Sequence, residues 1–229
     1  MNRRTLLLGT AGAALVAAAG GWISNQTRFV RPAAAEDTGT TPAQTPPPAA
    51  GATPEIVPDI PLGSPDAKVT MIEYGSFTCP HCADFHNEVF GQLRKDYIDT
   101  GKVRFIFREV YFDKFGLWAG MVAQCGGALK YYGIVDMIYT EQRDWFGDGK
   151  AQTISDNLRK IGLRAGLTKE QLDACMNDQA HAQAMVATYQ KHATDDSIDA
   201  TPSFVINGQK YSNMSYADMK KILDEKLAG

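Results

Sequence analysis

The chain has 229 residues, 44% hydrophobic and 21% charged, with 26 acidic against 23 basic side chains. That is ample for one buried core, and a slightly acidic chain with no basic run is a poor nucleic-acid partner. Beyond the N-terminal apolar run, no stretch is long and apolar enough to span a bilayer.

The first 35 residues read as a segment outside the fold. Arg3-Arg4 precedes a weakly apolar run over residues 5–23, and Ala33-Ala34-Ala35 follows as an A-x-A cleavage pattern. With Arg28 and Arg31, the segment resembles a twin-arginine export signal, with Glu36 as the expected first mature residue. An uncleaved membrane anchor is the alternative. Export implies a periplasmic protein, and removing the signal leaves a net charge of −7. Residues 36–58 are Pro, Thr and Ala with almost no large apolar side chains, so they read as a linker. The folded domain is expected over residues 59–229. Four cysteines in an exported chain suggest oxidised pairs.

Residues 59–62 suggest a short edge strand, and Gly63-Ser64-Pro65-Asp66 a turn. Residues 69–74 read as a strand. Cys79-Pro80-His81-Cys82 follows at once, and Cys82, Phe85, Val89, Phe90 and Leu93 then recur at helical spacing. A C-x-x-C at a strand-to-helix junction is the signature of a thioredoxin-like redox site. Residues 102–108 alternate as a second strand, so the strand–helix–strand unit predicts a parallel pair. Residues 115–192 are helical in pattern, with expected capping boxes at Thr153–Asp156 and Thr168–Gln171 and an apolar stripe of Ala182, Met185, Val186 and Tyr189. Residues 203–206 read as a strand that turns at Asn207-Gly208 into Lys210-Tyr211. Ser215 opens a last helix carrying Met219, Ile222, Leu223 and Leu227 on one face. The order predicts an α/β fold with an inserted helical subdomain at about residues 113–193.

The chemistry centres on Cys79. Pro80 suits the first helical position, because its missing N–H would have no intrahelical partner there. Cys79 then sits at the N-cap, where free N–H groups and the helix dipole stabilise a thiolate. His81, when protonated, adds positive charge, and Cys82 lies a turn deeper, more buried, where it closes the ring and need not be nucleophilic. Glu73, mid-strand among apolar residues, is a candidate buried acid. A zinc site would draw on His86, Cys125 or Cys175 as further ligands. The preferred readings are that His86 is an ordinary helix residue, that His181 and His192 are solvated, and that no metal binds. Cys125 and Cys175 are compatible with a structural disulfide, two buried thiols or a second redox couple. Phe77, Phe85, Trp118, Trp145 and Phe146 are compatible with core packing or an apolar substrate groove.

The Pro80-His81 dipeptide, the preceding Phe77, Glu73 six residues ahead of Cys79, and Thr201-Pro202 before Ser203-Phe204-Val205-Ile206-Asn207-Gly208 together resemble the DsbA family of thiol:disulfide oxidoreductases. The resemblance covers residues 59–229. It implies a thioredoxin-like fold, a cis Thr201–Pro202 bond beside Cys79, and a Glu73 that relays protons to Cys82. It also implies a Thr201 backbone and a Phe77 that contact substrate, and a second disulfide between Cys125 and Cys175 as in some α-proteobacterial members. The implied activity is that of a monomeric dithiol oxidase, without organic or metal cofactor, acting on reduced exported polypeptides. The implied reoxidising partner is a quinone-linked membrane oxidase like DsbB. Thr201 departs from the Val of the enteric enzyme and also occurs in isomerase-type and Gram-positive relatives. An isomerase or reductase on the same scaffold, and a peptide-binding module with a structural disulfide, are the alternatives.

Overall fold

The computed structural model describes residues 55–229, so the expected export signal and all but the end of the expected linker lie outside the described residues. Five strands form one mixed sheet: β1 (Pro61–Leu62), β2 (Val69–Gly75), β3 (Val103–Glu109), β4 (Ser203–Ile206) and β5 (Gln209–Ser212), in the order β1-β3-β2-β4-β5. The expected parallel pair is β2 with β3; the other three pairings are antiparallel. β2 is central and covered on both faces, which explains its near-continuous apolar run. Asn207 and Gly208 both take positive φ, 47° and 81°, as a tight hairpin between right-twisted strands demands.

The helix after β2 starts at Pro80. It runs as α1 (Pro80–Phe85), a π-helical stretch (His86–Phe90), α2 (Gly91–Leu93) and a second π-helical stretch (Arg94–Ile98). Between β3 and β4 six helices form the insertion: α3 (Lys114–Cys125), α4 (Gly127–Thr140), α5 (Gln142–Phe146), α6 (Ala151–Arg164), α7 (Lys169–Met176) and α8 (Gln179–Asp195). α9 (Tyr216–Ala228) opens at the expected Ser215 cap and buries Met219 and Leu223.

Sheet and insertion share one apolar core, from Val69 and Phe105 through Phe77 and Cys82 to Ile134, Ile138, Trp145 and Leu158. Buried carboxylate chemistry joins them as well. Glu109, at the end of β3, accepts from Tyr131 Oη of α4 at 2.9 Å and Gln124 Nε2 of α3 at 2.7 Å, and also from Tyr111. The N-terminal segment is tied down from Val57, whose N–H donates to Thr188 Oγ1 of α8 at 2.8 Å. Asp59 then pairs with Arg108 at 2.9 Å. Among the described residues, contacts with the domain thus extend back to Val57.

Of the two expected capping boxes, one fails. Thr153 does not cap a helix: α6 starts at Ala151 with Lys150 at its N-cap, which leaves Thr153 inside the helix. Thr168 does form a capping box, bonding the Gln171 N–H while Gln171 Oε1 accepts from the Thr168 N–H. The two motifs look alike because a box pattern reports local spacing, whereas the start of α6 follows the burial of Ile154, Leu158 and Ile161. Thr168→Ala should cost ~1 kcal/mol of stability. Thr153→Ala should stay within about 0.5 kcal/mol, since alanine is the better helix former. Urea titration of both variants checks the contrast.

Candidate active site

β2 ends at Gly75 and the chain turns through Ser76, Phe77 and Thr78 to Cys79 at the mouth of α1. Cys79 is the N-cap, with extended backbone (φ −85°, ψ 120°), and Pro80 is the first helical residue. The turn is held by Cys79 N–H donating to Ser76 C=O at 3.0 Å. Thr78 Oγ1 donates to Asp113 Oδ2 at 2.8 Å, and Asp113 also caps α3.

The two sulfurs have opposite surroundings. Cys79 is half-buried and its thiol is brought down to about 5. The Cys82 thiol bonding to it is the largest cause; the Thr201 side chain and the backbone N–H groups of Cys82 and His81 add to it, against the cost of burial. Cys82 is fully buried, and its thiol is pushed well above the ordinary cysteine range by its bond to Cys79, by burial and by Glu73. At neutral pH the site therefore holds one reachable thiolate above one protonated thiol.

Glu73 lies on β2 opposite Phe107 of β3 and Phe204 of β4, 1% exposed. Burial first, and then the charge on Cys79, push its carboxyl up to about 8. Its Oε1 has no hydrogen-bond partner among the described residues, and neither does the buried Oη of Tyr139. Both approach the space over Gly75: a methyl added there would lie 3.1 Å from Glu73 Oε1 and 3.0 Å from Tyr139 Oη. Glu73 is thus the opposite of Glu109, which is also buried but accepts from three donors. A buried carboxyl with an oxygen left without a donor favours its protonated form, so it is suited to giving up a proton rather than to holding structure.

Across from Cys79 lies the Thr201–Pro202 peptide, which is cis. The Cys79 thiol donates to Thr201 C=O at 3.6 Å. The fold thus brings together Cys79, Pro80, Cys82, Glu73, Thr201 and Pro202, from three separate stretches of sequence.

Other expected site residues lie elsewhere. Phe77 is 1% exposed and packs on Phe107 and Tyr139, so it supports the loop from beneath and offers substrate no surface. The His81 ring is largely exposed, its Nδ1 3.8 Å from Asp84 Oδ2, and the His81 backbone N–H reaches the Cys79 sulfur. Phe85 and Trp145 are core residues, whereas Trp118 and Phe146 are half-buried. His86 is no ordinary helix residue: it is 6% exposed, stacked on Phe90 and Tyr139, with Nε2 3.0 Å from Asp136 Oδ1. His181 and His192 are half-buried rather than solvated, and His181 Nε2 bonds Gln124 Oε1 at 2.9 Å. Cys125 and Cys175 form a disulfide that joins α3 to α7, with Cα atoms 5.8 Å apart, so neither is free to hold zinc. Among the described residues, no cluster of three or more His, Cys, Asp or Glu is placed to hold a metal ion.

Gln142 was not legible as a site residue. It is buried, and its Nε2 donates to both Phe77 C=O at 2.8 Å and Cys79 C=O at 3.0 Å. One signal pointed to it: Ile138, Gln142 and Trp145 recur in the sequence at helical spacing, and the two outer members are core residues.

Comparison with known proteins finds relatives named for disulfide chemistry. The family described as thioredoxin matches residues 55–225. A Rickettsia bellii protein named as a protein-disulfide oxidoreductase is 31% identical over 170 residues, covering 74% of this chain and 64% of the relative. The chain thus spans under two thirds of that relative's length. Disulfide bond formation protein D of Bacillus subtilis is 26% identical, covering 73% of this chain and 77% of the relative. Among solved structures, alpha-DsbA1 of Wolbachia pipientis superposes with a TM-score of 0.69 at 28% identity, over 76% of this chain and 94% of that one.

Two expectations follow from the site's electrostatics. Alkylation of Cys79 in the reduced protein should rise with a midpoint near pH 5, and Cys82 should stay unlabelled until the protein unfolds; mass mapping after timed iodoacetamide pulses reads both. Glu73, raised to about 8 in the folded state, binds its proton more tightly folded than unfolded. Its contribution to stability is therefore full below pH 4.5 and is lost as pH rises through 8. Glu73→Gln should accordingly gain stability on the parent between those two values and hold a constant margin above pH 8, as measured by urea titration across that range.

Proposed function

Because the chain belongs to the thioredoxin family, in its DsbA-like form, we propose that it is a protein dithiol oxidase that donates a Cys79–Cys82 disulfide to reduced polypeptides. The observation that carries this reading is the asymmetry of the two sulfurs, a stabilised thiolate at the helix mouth beside a buried, protonated thiol. Whatever stabilises the thiolate stabilises the reduced pair, and so makes the disulfide the stronger oxidant.

In the reaction a substrate thiolate attacks Cys79 Sγ and the Cys79–Cys82 bond breaks. Cys82 leaves as a thiolate in an apolar site and takes a proton, for which the neutral Glu73 carboxyl is the nearby source. A second substrate thiolate then attacks the substrate sulfur of the mixed disulfide. Cys79 departs as a thiolate, a good leaving group because its pKa is low. The substrate has lost two electrons and the protein is left as a dithiol. The Thr201 backbone beside Cys79 can pair with an extended substrate segment, as an added strand pairs with a sheet edge.

The export-signal reading of residues 1–35 and the linker reading of residues 36–58 support a periplasmic monomer, tethered or released. No helix among the described residues is long and apolar enough to cross a membrane. Reduced exported polypeptides would be the substrates, and a DsbB-like quinone-linked membrane oxidase would restore the disulfide. Thr201 is the feature that favours the second reading, an isomerase or reductase.

Equilibration with glutathione separates the two. An oxidase should give a potential closer to about −120 mV than to the roughly −270 mV of thioredoxin; a thioredoxin-like value would favour a reductase. In parallel, Cys82→Ala first charged at Cys79 with glutathione disulfide should exchange its glutathione for a reduced, unfolded thiol protein and accumulate the mixed disulfide on a non-reducing gel, whereas Cys79→Ala treated in the same way should form none.

A further inference from the structure

The helical insertion reaches the redox centre through one polar side chain. Gln142 opens α5, on the corner where the insertion meets the loop before Cys79. That corner is braced. Trp145 N–H donates to Glu141 C=O at 3.0 Å, Trp145 Nε1 donates to Ile138 C=O at 2.8 Å, and Glu141 pairs with Arg164 of α6. From this support the Gln142 amide places its two hydrogens on the carbonyls of Phe77 and Cys79, at 2.8 and 3.0 Å.

The two acceptors flank Thr78 and bracket the turn that aims the sulfur. The Cys79 carbonyl is also the first acceptor of α1, taking the Ala83 N–H at 3.2 Å. Holding it fixes the Cys79 backbone relative to the helix axis, and with it the position of Sγ over the N–H groups of His81 and Cys82. The amide hydrogens also offset the negative end of the carbonyl dipole on the cysteine's own backbone. Both effects favour the thiolate over the thiol. A purely packing residue would need neither donor, and an apolar side chain of equal size would fill the same space.

We propose that Gln142 is a positioning residue of the redox centre: from the helical insertion it clamps the turn from Phe77 to Cys79, so that the Cys79 sulfur stays over the N-terminus of α1. The proposal rests on the thiol-exchange reading above and adds to it a residue from outside the thioredoxin-like part.

The test measures Cys79 alkylation against pH, the glutathione equilibrium and urea stability in the full-length reduced protein, the parent beside Gln142→Met and Gln142→Asn. Gln142→Met keeps the volume and removes both donors. Gln142→Asn keeps the amide but withdraws it by one methylene. Gln142→Met should move the alkylation midpoint upward, with at least a roughly threefold slower labelling rate near pH 5, the rate following the thiolate fraction. The glutathione equilibrium should shift toward the disulfide, because the reduced form has lost stabilisation. Gln142→Asn should fall between, and it carries the test if Gln142→Met does not fold. Thr168→Ala is the control for stability, since the hydrogen bonds of its cap on α7 go to Gln171 and none to the loop. It should lose stability and leave the midpoint in place. If the Gln142 variants lose stability with midpoint and equilibrium unmoved, or change in nothing, the clamp is structural only and the proposal is overturned. If Cys79 in the parent titrates as an ordinary thiol, the thiol-exchange reading itself fails, whatever the variants do.

Discussion

The structure depends on a difference in solvation between two sulfurs that are three residues apart in one helix. Cys79 lies at the N-terminus, where backbone N–H groups have no intrahelical partners and a negative charge is welcome. Cys82 lies one turn in, against the apolar core, where a negative charge is costly. A proline between them sets where the helix starts and therefore which sulfur receives the N–H groups. Breaking the bond between these sulfurs places charge on the outer one and demands a proton at the inner one. The neighbouring groups answer those two needs.

Glu73 and Glu109 show how one residue type serves different ends. Both are buried, close to the point where the chain leaves the sheet for the redox loop. Glu109 collects donors from α3, α4 and Tyr111, so it ties the insertion to the sheet. Glu73 is given no donor on Oε1 and faces a cysteine that carries charge, so it stays protonated to about pH 8. The thermodynamic consequence is a site less stable with Glu73 than it would be with a neutral isostere above neutral pH, a familiar cost of functional groups held away from water.

The insertion is part of the site rather than an ornament on a thioredoxin-like core. It supplies Asp113 to Thr78, Tyr139 to the floor beneath Glu73, and Gln142 to the loop carbonyls. Its own helices are held in place partly by the Cys125–Cys175 bond, which joins α3, the helix capped by Asp113, to α7. This disulfide and the redox pair therefore sit on elements that touch one another.

Much of the centre was legible in the residues: the C-x-x-C at a strand-to-helix junction, the proline that sets Cys79 at the cap, the acid at mid-strand, and the Asn-Gly hairpin that follows Thr201-Pro202. These are local patterns, in which neighbours in sequence dictate backbone geometry, so they survive without knowledge of the fold. The mistaken expectations concern where side chains point. Phe77 turns inward, His86 is stacked within the core, and Thr153 lies inside a helix instead of capping one. The decisive contacts of Gln142, Glu109 and Tyr139 come from helices far along the chain. Only packing brings those donors to the loop and the strand ends, because a hydrogen bond between distant segments leaves no periodicity in either of them. The sequence alone singled out the two sulfurs that a thiol exchange would use; the tertiary structure decided which groups hold them in place and which buried acid keeps an oxygen without a donor.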